Sequence, residues 1–158
     1  MNYYHKMINT SLGRLTLVAD ETHLVEVRWK KGSRPVYQET TEKKSHPVLL
    51  KTEKQLLEYF KGERKKFELP IRLTGTTFQK SVWRQLQKIS FGSTRTYQDL
   101  ATRLGNPLAC RAVGAASGKN PLSIIIPCHR VIGSNGDLTG FSGGIKTKAF
   151  LLSQESQK

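Results

Sequence analysis

Apolar and polar positions alternate roughly through Leu12, Leu15 and Leu17, and again through Leu24, Val25, Val27 and Trp29, with the polar stretch Asp20–Thr22 between the runs. Successive strand side chains point to opposite faces, so this pattern predicts a β-hairpin with one face on a core. Residues 30–45 are polar and predict a long loop. Ser45, His46 and Pro47 then open a helix whose apolar side holds Val48, Leu49, Leu56, Leu57 and Phe60, with Gly62 as the residue just past its end. Phe67, Leu69, Ile71 and Leu73 alternate and predict a further strand, and Thr74-Gly75-Thr76 mark a boundary.

Beyond that boundary the period changes. Phe78, Val82, Leu86 and Ile89 share one helical face, and Phe91-Gly92 end the helix. Thr96 caps a short helix bearing Tyr97, Leu100, Ala101 and Leu104. Gly105-Asn106-Pro107 turn the chain, and residues 108–117 resume as a helix of small side chains, Ala109, Ala112, Gly114, Ala115 and Ala116. Helix, short turn, helix is the helix-turn-helix pattern, although any helical hairpin reads similarly. Small side chains let a helix backbone approach another surface, whether a partner molecule or a neighbouring helix. Ser123-Ile124-Ile125-Ile126 predict a short buried strand that ends at Pro127. The expectation is an α/β chain of two sections, residues 1–76 and 77–158, without internal repeats.

The charge balance points outward. The chain carries 26 Lys and Arg against 12 Asp and Glu, a formal charge of +14. Such a chain is drawn to polyanions, nucleic acid first among them. Residues 76–158 hold 11 basic side chains and three acids, Asp99, Asp137 and Glu155, so each acid there needs a local reason. No apolar run approaches the ~18 residues of a membrane span, and Met1–Thr10 lack an apolar signal core, so a cytoplasmic protein is expected. Two cysteines, Cys110 and Cys128, are too few for a disulfide framework or a four-cysteine zinc site.

Cys128 stands where chemistry is plausible. It follows the apolar run and Pro127, and His129 and Arg130 come next. A thiol becomes a nucleophile as thiolate, which a positive or hydrogen-bonded basic neighbour favours. In an extended segment His129 would point to the opposite face and reach the sulfur through a water rather than directly. Taken alone, the pair is better read as an inert buried cysteine beside an ordinary histidine.

The surroundings change that reading. Pro127-Cys128-His129-Arg130-Val131 resembles the signature of the O6-alkylguanine-DNA alkyltransferases, the methylated-DNA–protein-cysteine methyltransferases. Phe91-Gly92, Thr96-Tyr97, Gly105-Asn106-Pro107, Arg111-Ala112-Val113-Gly114, Asn120-Pro121, Gly140-Phe141-Ser142-Gly143-Gly144, Lys148 and Leu151-Leu152 stand in that family's order. The match is dense over about residues 77–155 and weaker over 1–76, where Ser11-Leu12-Gly13 and the hairpin still look like the family's N-terminal domain.

The resemblance implies a ribonuclease-H-like sheet-plus-helix domain followed by a mainly helical domain with the helix-turn-helix. It also implies a DNA repair reaction. A base carrying an O6-alkyl group, with O4-alkylthymine as a second lesion, is flipped out of the duplex, and its alkyl group passes irreversibly to Cys128. His129 would act through a water as base, with Glu155 orienting it. Tyr97 would donate to the departing guanine, and Asn120 would tie its turn to the active-site backbone. Val131, Phe141 and Ser142 would line the base pocket, with loop 138–145 as one wall. Arg111 would fill the vacated stack, while Gln98, Asn106, Ala112, Ser117 and Ser134 would meet double-stranded DNA from the minor groove, largely independent of sequence.

Some relatives bind zinc through N-terminal cysteines and histidines; with no cysteine before Cys110, neither zinc nor any cofactor is expected here. Phe141 lacks the hydroxyl of the tyrosine common at that place, and Ser117 is smaller than its counterpart in some relatives, so the tolerated alkyl size is open. The expected state in solution is a monomer, with cooperative loading on DNA open. Three rivals stand beside this reading: a non-catalytic lesion binder, which Cys128 argues against; a thiol hydrolase, which leaves the helix-turn-helix unexplained; and a DNA-binding regulator, which would not need the cysteine.

Overall fold

The hairpin expected from the alternating runs is present, inside a larger meander. In a computed structural model that describes residues 1–30 and 35–156, β1 (Tyr4–Thr10), β2 (Gly13–Ala19) and β3 (Leu24–Trp29) pair antiparallel, and the two-residue β4 (Thr41–Glu42) joins β1 in parallel. The turn between β2 and β3 is built on Asp20. Its Oδ1 accepts from the backbone N–H of Thr22 at 2.8 Å and of His23 at 2.7 Å, the local bond that makes Asp a turn former. Strand β1 escapes a reading of apolar alternation because Ile8 is its one buried residue. The long loop expected over 30–45 contains β4, and its residues 31–34 lie outside the described residues.

The chain divides into two compact units, one of Met1–Leu73 with Pro121–Ile125, the other of Thr74–Asn120 with Ile126 onward. In the first, α1 (Pro47–Phe60) buries Leu49, Leu56 and Tyr59 beside a core of Leu15, Leu17, Leu24 and Val27. His46 caps the helix by accepting from Val48 N–H at 3.1 Å, and Gly62 follows the C-cap at φ +79°. The strand expected at Phe67–Leu73 is reduced to one bridge, Ile71 with Leu24. Pro70 has no N–H for a ladder, and the Gln55 amide takes both the N–H and the carbonyl of Glu68, at 2.9 and 3.1 Å.

The apolar run before Pro127 is corrected in the same way. Leu122 bridges to Val27, and Trp29 donates its indole N–H to Ser123 Oγ at 2.8 Å. Ile124 then turns at φ 72°, a conformation a β-branched residue rarely adopts, so Ser123–Ile126 is no strand.

The second unit is mainly helical: α2 (Thr77–Gln87), β5 (Arg95–Thr96), α3 (Tyr97–Arg103), α4 (Cys110–Gly118), a 3₁₀ turn (Cys128–Arg130), β6 (Val131–Ile132) and α5 (Ile145–Ser156). Capping boxes start two of the helices, Thr76 with Gln79 at α2 and Thr96 with Asp99 at α3. That is the local reason for Asp99. Helices α3 and α4, joined through Gly105 at φ +78°, are the expected helix-turn-helix pair. Trp83, buried on α2, donates to the carbonyl of Ala116 at 2.9 Å and fastens α2 to the last turn of α4.

Candidate active site

Cys128 begins the 3₁₀ turn and is buried, its N–H donating to Ile126 O at 2.8 Å. The extended geometry expected for Cys128-His129-Arg130 is therefore replaced by a tight helical turn. His129 follows with no exposure at all, and its Nε2 stands 2.7 Å from Glu155 Oε2 on α5. A neutral imidazole facing a carboxylate through Nε2 carries its hydrogen there and leaves Nδ1 as acceptor. That Nδ1 is buried and has no hydrogen-bond partner among the described residues. Glu155, which the sequence would otherwise leave in a fraying terminus, is 1% exposed.

Asn120 donates from Nδ2 to Ile126 O at 2.7 Å and so ties its turn to the backbone just before Cys128. Burial pushes the Cys128 thiol up from its ordinary pKa, while a hydrogen bond from Asn120 and the charge of Lys148 work against that shift. Burial likewise holds His129 below its ordinary value, against the pull of Glu155 and with help from the positive charges of Arg130 and Lys148. At neutral pH the resting pair is a thiol and an uncharged imidazole. Tyr97, at the start of α3, donates its hydroxyl to Thr139 O at 3.1 Å, and burial raises its pKa. Val131 is fully buried on β6, Phe141 sets its ring edge-on to His129 at 6.5 Å, and Ser142 is half-buried beside it in the chain.

Arg111 and Ala112 lie on the exposed side of α4, together with Ala115 and Gly118. Gln98 is exposed and donates to Pro107 O at 2.7 Å, fixing the turn between the two helices, and Asn106 closes that turn by accepting from Ala109 N–H at 3.0 Å. Ser134 is exposed in the loop after β6. Asp137 braces that loop through Asn135, at 2.8 Å. Ser117 departs from expectation. It is buried with Val113 and Ala116 on the inner face of α4, so no contact with DNA is assigned to it.

Two cations at the site were given no role by the sequence. Arg130 is buried and forks onto Glu155, Nε to Oε1 at 2.7 Å and Nη2 to Oε2 at 3.1 Å, while Nη1 donates to Ile89 O at 2.7 Å. Lys148 on α5 is buried and donates to Thr139 O at 2.8 Å. Both stand in family motifs. In a chain of 26 basic residues their types alone gave no sign of burial.

Residues 2–73 match the ribonuclease-like domain of 6-O-methylguanine DNA methyltransferase, and residues 77–157 match its DNA binding domain. A methylated-DNA–protein-cysteine methyltransferase of Methanosarcina acetivorans is 42% identical over 152 residues, covering 96% of this chain and 97% of its own length. The constitutive one of Bacillus subtilis is 44% identical over 159 residues, covering 98% and 96%. The crystal structure of Mycobacterium tuberculosis OGT in complex with DNA superposes with a TM-score of 0.89 at 39% identity, covering 99% of this chain and 93% of that one. With matches this extensive in both halves, the chain belongs to the methylated-DNA–protein-cysteine methyltransferase family.

Proposed function

We propose that this chain flips an O6-alkylated guanine out of duplex DNA and transfers the alkyl group to Sγ of Cys128, once per molecule. The observation that carries the reading is the buried turn that follows Cys128 directly with His129, whose Nε2 faces Glu155 and whose buried Nδ1 is left as an acceptor. His129 Nδ1 takes the thiol proton through a water. The sulfur then attacks the alkyl carbon, forming the S–C bond as the C–O6 bond breaks, and the electron pair leaves with guanine. Tyr97 eases that departure by turning its hydroxyl from Thr139 to the base. Val131, Phe141 and Ser142 line the pocket that receives the flipped base.

The exposed face of α4 supports minor-groove binding. That groove is only ~6 Å wide, and Ala112, Ala115 and Gly118 keep the face slim while Arg111 reaches beyond it. Extruding a base costs a few kcal/mol, which Arg111 offsets by stacking where the base was. Gln98, Asn106 and Ser134 meet the phosphates, so binding is sequence-tolerant and weakens with salt. The protein works as a cytoplasmic monomer without metal or cofactor.

Intact mass after exposure to a methylated duplex tests this reading. A gain of one methylene on the Cys128 peptide, with repaired lesions levelling off at one per protein, is the expected result. A thioether is not opened by thiol exchange, so Cys110 has no means of restoring Cys128. Product beyond one equivalent would mean a turnover enzyme, and an unchanged mass would leave only a binding protein.

A further inference from the structure

We propose that Arg130 is a positioning residue for alkyl transfer: its fork on both Glu155 oxygens cancels the carboxylate's charge, so that His129 rests as an uncharged imidazole able to accept the thiol proton. The proposal rests on the reading of Cys128 and His129 given above and adds a residue that acts through Glu155.

The charge arithmetic is local. A buried carboxylate beside an imidazole favours the imidazolium, because protonating the ring then makes a neutral pair in a place where net charge is costly. With Arg130 present the balance reverses. Glu155 and Arg130 are already a neutral pair, at 2.7 and 3.1 Å, so a proton on His129 would leave one net positive charge in the interior. Lys148, on the same helix as Glu155, adds to that cost. Just past the end of helix α2, which also packs against the turn, Ile89 offers its carbonyl to Arg130 Nη1 at 2.7 Å. Phe91 lies 5.7 Å from the guanidinium carbon, so the cation is held by an aromatic ring as well. All three guanidinium nitrogens donate within the protein, which leaves Arg130 no part in binding phosphate.

The test follows His129 itself. The ring Cε1–H signal of the full chain, assigned against His129→Gln, is titrated by NMR with labelled histidine. In the unmodified protein the midpoint should lie below the ordinary histidine value of about 6.5. Arg130→Met should raise it by about one pH unit or more, and Arg130→Lys, which keeps the charge but not the fork, by less than half of that. Adding Glu155→Gln to Arg130→Met should remove the rise, since the charge being cancelled is then gone. A midpoint in Arg130→Met within a few tenths of the unmodified protein, or a rise that persists in the double variant, overturns the proposal. Should Arg130→Met fail to fold, the unmodified protein and Arg130→Lys decide: a midpoint at or above the ordinary value in the first, or a full-sized rise in the second, overturns it. Methylation of the unmodified protein is read separately by mass, so failure of Cys128 as acceptor is seen independently of the midpoint.

Discussion

The hydroxyl of Tyr97 and the ammonium of Lys148 donate to one and the same oxygen, the carbonyl of Thr139, at 3.1 and 2.8 Å. Thr139 belongs to the loop between β6 and α5, and the Lys148 ammonium also stands 5.9 Å from the Tyr97 ring. Lys148 can therefore keep hold of the loop while Tyr97 changes partner. Tyr97→Phe should leave the fold intact and slow alkyl transfer by about a hundredfold, the low end of what losing a positioned proton donor costs. Single-turnover rates on a methylated duplex check this, and an unchanged rate would show that the hydroxyl serves the loop alone.

Arg111 stands on the exposed face of α4, whereas the turn that holds Cys128 is buried. Arg111→Ala should slow repair of a duplex by at least about tenfold, ~1.4 kcal/mol, while transfer from the free base O6-benzylguanine, if the pocket admits it, stays near its original rate. Equal losses on both substrates would remove Arg111 from base flipping.

Asp20 carries a pH dependence whose sign can be worked out. Burial pushes its carboxyl up, but the N–H groups of Thr22 and His23 and the guanidinium of Arg72 outweigh this and hold it below its ordinary value. A group depressed on folding contributes stability above its unfolded pKa, near 3.8, and loses it as pH falls through the folded one. Asp20→Asn should therefore cost about 1–3 kcal/mol at neutral pH, and the difference from the unmodified protein should shrink below pH 3.8. Urea melts at several pH values read it; a constant difference would assign the effect to turn geometry instead of charge.

Gly75 is required by a close approach. A Cβ there would lie 2.6 Å from Trp83 Cη2 and 2.8 Å from Gln79 Oε1. Trp83 is buried and cannot move aside, and Gln79 Oε1 accepts the Thr76 N–H of the capping box at 3.0 Å. Gly75→Ala should destabilise the protein by about 1–3 kcal/mol through overpacking, seen as a lower Tm.

What could be read ahead of the structure was whatever rests on local rules. The β2–β3 hairpin, α1 with His46 and Gly62, the boundary at Thr74–Thr76 and the cap at Thr96 follow from alternation, helical period and side-chain bonds to nearby backbone. Distant partners decided the rest. Phe67–Leu73 alternates in exposure without being a strand, because Gln55, on α1, captures the backbone of Glu68. Helix α5 presents no apolar stripe, since Ile145 and Phe150 are exposed while Lys148 and Glu155 are buried. Those two buried ionic residues have their reason in the site, and for that reason a pattern of apolar positions passes over the helix. Cys128, His129 and Glu155 were named by resemblance, and Glu155 reaches the His129 ring from α5. Arg130 sat inside the same motif, and its role depends on Glu155, 25 residues away, which no local reading supplies.

The burial of Arg130 and Lys148 also bears on how salt should act on DNA binding. A basic side chain lends salt dependence to binding by displacing a condensed cation from a phosphate, at about 0.9 in the slope of log affinity against log salt for each phosphate neutralised. Residues 76–158 carry 11 Lys and Arg, but these two direct their charge to Glu155 and to backbone carbonyls inside the protein. Neither displaces an ion, so the formal charge of the second half overstates its thermodynamic grip on the duplex. Removing either cation should leave the salt slope where it was, even where it alters the chemistry.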